Sequence, residues 1–347
     1  GNYQDLLTAV TQNLSMGCML TYRGNRKEDP KTGRHPDENY AREVMQLFSI
    51  GLLELAPDGT VRKVDGAPVE TYTNADVQGL AKVFTGWDIN GPETDVEFHR
   101  RPMALNNALH SMAEKRFLGA VIPPGTDGRL SLKRAMDVIC AHPNVGPFIG
   151  KQLIQRLVTS NPSPAYVKRV AAAFADNGAG VRGDMKAVFA AVLIDDEARA
   201  PAGLANPDFG RLREPMLRLA QWGRSFGVSS AKGTWRIGDQ SNASYGLGQS
   251  PLRSPSVFNY FRPGYVPPAT AIAERKLVAP EFQIVNESSV GGYLNFLQNA
   301  LPYGIDNGDV RAAYTAEKAL ALDPAALVKR LNLLLTGNQL SLSLIHI

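Results

Sequence analysis

The densest group of residues able to do chemistry is Asp37-Glu38-Asn39-Tyr40-Ala41-Arg42-Glu43. On a helix, Glu38 and Arg42 stand four apart, as do Asn39 and Glu43, so both pairs meet on neighbouring stripes. Ala41, Val44, Met45, Leu47 and Phe48 form an apolar face on the same segment, which holds the polar groups at the edge of a core. One reading is a site in which Glu38 and Glu43 bind a divalent metal or act as acid and base. Arg42 would then orient an anion, and Asn39 would orient the carboxylates. The other reading is a helix start whose acids suit the dipole, supported by one ion pair. Spacing alone leaves both open.

The remaining candidates are scattered. His110 lies in a polar loop beside Glu114 and Lys115, where it could serve as a base or as a turn histidine. Thr85-Gly86-Trp87 reads as a glycine helix stop, with Trp87 either covering the core or facing a ligand. His142-Pro143 marks a turn between helices. There is no HExxH helix, no Cys-x-x-Cys, no Gly-x-Ser-x-Gly and no phosphate-binding glycine loop. Any metal site would have to be assembled from distant segments. Cys18 and Cys140 both fall in apolar helical stretches and read as small hydrophobes, not as a disulfide.

Composition bounds these choices. The chain has 347 residues, 44% of them hydrophobic, with 37 Lys+Arg against 33 Asp+Glu and a net charge of +4. That is enough apolar material for a large core and excludes a disordered chain. Lys and Arg form no long run, so nucleic acid is not an expected partner. The longest apolar stretch, Ala187 to Ile194, is far short of the ~20 residues of a membrane helix.

The elements that must position these residues are mostly helical. Leu6, Leu7, Val10 and Leu14 predict a first helix, and Glu38 to Leu53 a second that stops near Gly51. Asp58-Gly59 and Asp65-Gly66 flank the β-prone runs Thr60 to Val64 and Val69 to Tyr72, predicting a small hairpin within 57–73. Thr73 to Asp76 reads as a capping box that starts the helix through Val77, Leu80 and Phe84. Helices follow one another from Leu130 to Ala198, another covers Arg213 to Phe226, and one runs from Pro324 to Leu335. The stretch 227–268 carries Trp235, Phe258, Tyr260, Phe261 and Tyr265 and reads as an ordered irregular aromatic loop. The expected fold is mainly α: one compact multi-helix domain over 1–341, with a hairpin insertion and this long loop. Both ends read as cut. The chain opens directly into a helix pattern, and the apolar tail Leu342 to Ile347 reads as a non-native, adapter-derived extension of a metagenomic fragment.

Several of these runs resemble one known family. Pro36 through Gly51 resembles the signature of the bacterial domain of unknown function 1800 family, Leu80 to Trp87 its second motif, and His110 through Lys115 to Gly119 a third. Ser111 stands where that third motif usually has an acid, and Ala113 where it usually has Gly. The resemblance implies a mostly helical, usually exported bacterial protein of the periplasm or cell envelope, often encoded beside a sulfatase-like partner. It also implies an upstream aromatic- and His-rich motif outside this fragment. It assigns no reaction. Three classes of function follow. An enzyme, hydrolase-like or metal-dependent, would gather Glu38, Arg42, Glu43 and His110 in one cleft, with Asn39, Lys115 and Trp87 binding the ligand. A binding or assembly module would expose the aromatic loop to the sulfatase-like partner, and a structural scaffold would use neither.

Overall fold

Apolar recurrence at three and four residues becomes helix wherever a capping group and a stop bracket it, and this chain supplies both repeatedly. A computed structural model describes residues 1–341. It is mainly α, with fourteen α-helices among the described residues and only two-stranded antiparallel sheets beside them. The 342–347 tail, expected to be non-native, lies outside the described residues.

The first compact unit spans Gly1–Gly210. Its first helix, Tyr3–Thr11, buries Tyr3, Leu7 and Thr11, whereas Leu6, expected inward, faces solvent. The motif helix, Asn39–Gln46, is shorter than expected. Ser49 Oγ donates to the Val44 carbonyl, and the Ile50 and Gly51 amides both close on Met45, with Gly51 at φ +75°. Next comes the hairpin, with Lys63–Val64 paired to Ala67–Pro68 around Asp65 and Gly66, both at positive φ as a tight turn demands. Thr73 then caps the helix Asn74–Ala81, its Oγ1 accepting from the Asp76 amide while Asp76 accepts from the Thr73 amide. The helices Gly128–Ala141, Val145–Leu157, Pro164–Ala175 and Met185–Leu193 follow. They break at His142-Pro143, at Asn161 to Ser163 and at Gly178, Gly180 and Gly183, the three glycines at positive φ.

Two further strand pairs in this unit had no sequence expectation. Trp87–Asp88 pairs with Ala104–Leu105, and Lys115–Phe117 with Ala120–Ile122. The second packs on the Asn74–Ala81 helix so closely that a Cβ built at Gly79 would lie 1.7 Å from the Arg116 carbonyl oxygen. Only glycine fits there.

A second compact unit begins at Arg211. Its core is Leu219, Trp222, Phe226, Leu247 and Ala312. The Trp222 indole donates to the Tyr314 hydroxyl at 3.0 Å. Helices Pro215–Ser225, Glu287–Tyr303 and Pro324–Thr336 carry it, with Val228–Ser230 paired to Val310–Ala312. The aromatic stretch 227–268 holds that one strand and no helix. Phe261 is buried, while Trp235 is 53% exposed.

Candidate functional site

The motif helix is anchored by its apolar face. Tyr40, Ala41, Val44 and Met45 are fully buried. Thr11 Oγ1 spends its proton on the Leu7 carbonyl, so the Tyr40 hydroxyl donates to Thr11 Oγ1 at 2.6 Å. Tyr40 also stacks on Tyr22 at 4.0 Å between ring centres. Asp37, not Glu38, caps the start by accepting from the Asn39 amide at 2.8 Å.

With the helix fixed, its charged residues part company. Arg42 Nη2 lies 3.4 Å from Glu38 Oε2 and also donates to Asn74 Oδ1 at 3.2 Å. Both charged partners are partly exposed, so that pair contributes only a few tenths of a kcal/mol. Asn39 Nδ2 donates to Thr21 Oγ1 at 3.3 Å and does not orient a carboxylate. Glu43 turns the other way. The residue is 7% exposed, and its buried Oε2 has no hydrogen-bond partner. Burial pushes its carboxyl above the ordinary range, partly offset by the Arg42 charge.

His110 is fully buried. Its Nδ1 donates to the Thr85 carbonyl at 2.9 Å, which fixes the tautomer because a carbonyl only accepts, and Nε2 lies 3.4 Å from Ser131 Oγ. Burial lowers its pKa. The ring is thus a tie between the loop before it and the Thr85-Gly86-Trp87 stop. Trp87 is 2% exposed, with its indole nitrogen sealed in the core, so no ligand surface reaches it. The expected single cleft of Glu38, Arg42, Glu43 and His110 is therefore not assembled: Glu38 lines a cleft that none of the other three lines.

That cleft measures about 690 Å³ and is walled by four segments of the first unit. Glu28 and Arg34 come from the loop before the motif helix, Glu38 from its start, Gln78 and Lys82 from the next helix and turn, and Glu114 and Arg116 from the residue before the strand beyond and from that strand. Arg116 is neutralised by Glu114 at 2.6 Å, and Lys82 Nζ donates to the Glu114 carbonyl at 3.1 Å. Ser111, standing where the third motif usually has an acid, donates its hydroxyl to Glu28 Oε1 at 3.0 Å. Glu28 Oε2 is buried without a partner. Behind the wall, fully buried Lys115 donates to the Ser111 and Ala113 carbonyls at 2.8 and 3.3 Å. Burial, with Lys82 adding to it and Glu28 opposing it, brings its amine down to about 8.

Glu28 and Lys82 were missed by sequence reasoning. Glu28 sits in a loop with no periodicity, and Lys82 at a helix end reads as an ordinary dipole complement. Among the described residues, no three His, Cys, Asp or Glu side chains are grouped to hold a metal ion, so the divalent-metal expectation finds no ligand set there. Nor is any helix long and apolar enough to cross a membrane, again among the described residues.

Fold and cleft together define a mainly helical protein with a charged cleft beside a short helix. The family described as "Protein of unknown function (DUF1800)" matches residues 1–345, and the chain belongs to it. No curated protein and no solved structure matches the chain.

Proposed function

We propose that this protein binds a small charged ligand in the cleft walled by Glu28, Glu38 and Lys82. One observation carries the reading. Carboxylates and an amine line the same cleft, yet no ion pair joins Lys82 to Glu28 or Glu38. Half-buried charges in a structural network pair with one another, because leaving them unpaired costs free energy. Charges held apart on a concave wall are arranged to be paired by something else. If chemistry follows binding, Glu38 is the carboxyl placed for acid–base work, in a hydrolase-like role at the start of the motif helix. Export to the periplasm or envelope and action beside a sulfatase-like partner extend the proposal on family resemblance alone.

The test is a thermal-shift screen of charged metabolites against wild type and Glu38→Gln. A ligand at about a hundred times its Kd adds about 2.7 kcal/mol, a rise of several degrees in Tm. We expect such a rise in wild type that Glu38→Gln largely removes. An equal rise in both proteins would move the site elsewhere.

A second reading, an assembly module, draws support from the exposed aromatics of 227–268: Trp235 and, at 70% exposed, Tyr245. On that reading the stretch is an ordered loop that docks the sulfatase-like partner. Trp235→Ala should then abolish co-purification of that partner without lowering Tm.

A further inference from the structure

We infer that the ligand of this cleft is a zwitterion of amino-acid or dipeptide size, its ammonium answered by Glu38 and its carboxylate by Lys82. The inference rests on the cleft reading above and names the ligand class.

The charges left unanswered are of both signs. On the acidic side, Glu38 has only a 3.4 Å contact from Arg42, whereas Glu28 has one oxygen accepting from Ser111 and the other sealed from solvent on the Lys115 side. On the basic side, Lys82 has three donor hydrogens and one acceptor, the Glu114 carbonyl. Arg116 does not compete, because Glu114 already neutralises it at 2.6 Å. A metal ion would need ligands gathered around one point, and no such group of three exists among the described residues. Spread carboxylates suit an organic ammonium, which carries three donors of its own.

Neither a purely cationic nor a purely anionic ligand fits the whole wall. A polyamine would set a positive group against Lys82, and a phosphate would face Glu28 and Glu38. A molecule with an ammonium at one end and a carboxylate at the other meets both, and bridges the gap that keeps the protein's own charges from pairing. A cleft of about 690 Å³ has room for a free amino acid or a short peptide.

The experiment is titration calorimetry of wild type with alanyl-alanine, its N-acetyl form and its C-terminal amide. Inorganic phosphate and spermidine serve as probes with charge of one sign only, and Glu38→Gln and Lys82→Gln as variants. We expect the free dipeptide to bind and each blocked form to bind about tenfold more weakly or worse, since each loses one charge-assisted contact. Each variant should lose affinity for the free dipeptide by a similar factor. The blocked dipeptides test the claim on wild type alone, so misfolding of a variant does not rescue it. Blocked and free forms binding equally would overturn the zwitterion. Binding of phosphate or spermidine alone, abolished by Glu38→Gln or Lys82→Gln, would keep the cleft and discard the ligand class. No binding by any of the five would discard both.

Discussion

A carboxyl that loses water without gaining a hydrogen bond holds its proton to higher pH, and Glu43 is in that position. Folding favours its neutral form. The stability it contributes is complete below its ordinary value of 4.5 and is lost as pH rises through the raised folded value. Glu43→Gln stays neutral throughout, so it should gain stability relative to wild type as pH climbs from 4.5 toward neutrality. Urea denaturation at a series of pH values reads the difference, and a constant difference would mean that the carboxyl stays hydrated. Lys115 behaves in the opposite sense. Its charged form is disfavoured by folding, so the penalty is complete below pH 8 and is relieved as pH rises toward 10.5. Wild type should gain on the order of 3 kcal/mol across that window relative to Lys115→Met, in which the slope is absent. Equal slopes would show that the amine reaches water. Neither residue advertises this in sequence: an acid four after Asn39 and a lysine in a short strand are ordinary surface patterns until packing buries them.

The short elements are held by single positions. The Asn74–Ala81 helix carries Lys82 and Gln78 to the cleft, and its distance from the Lys115–Phe117 strand is set by Gly79. A methyl group there collides with backbone, which cannot rotate away as a side chain can. Gly79→Ala should therefore cost about 3 kcal/mol and open the cleft wall. Thermal melting measures this, and a cost under about 1 kcal/mol would mean that the helix slides without penalty. The capping box that starts this helix was legible, because Thr73 and Asp76 act within one turn. So were the hairpin turn at Asp65-Gly66 and the breaks at His142-Pro143, where the local chain decides. The Trp87–Asp88 and Lys115–Phe117 strand pairs were not. Two- and three-residue strands carry too few side chains to show a period of two.

For the whole molecule, the two cysteines report on folding. Both are free: Cys18 is exposed, against the expectation of a buried hydrophobe, while Cys140 is buried and its thiol pushed up to about 12. A thiol reagent should label Cys18 in the native protein within minutes. Cys140 should label only as fast as the first unit unfolds, and equal rates at neutral pH would show that Cys140 is open to solvent. Helical character, a helix over the motif and membership of the family were all written in the sequence, since each depends on residues a few positions apart. The burial of His110 and the parting of Glu38 from Glu43 were not. Nor was the meeting of Glu28, Glu38 and Lys82 on one wall. Those depend on which segments pack against which, and side chains 54 positions apart share a cleft only after the core has chosen the neighbours of each helix.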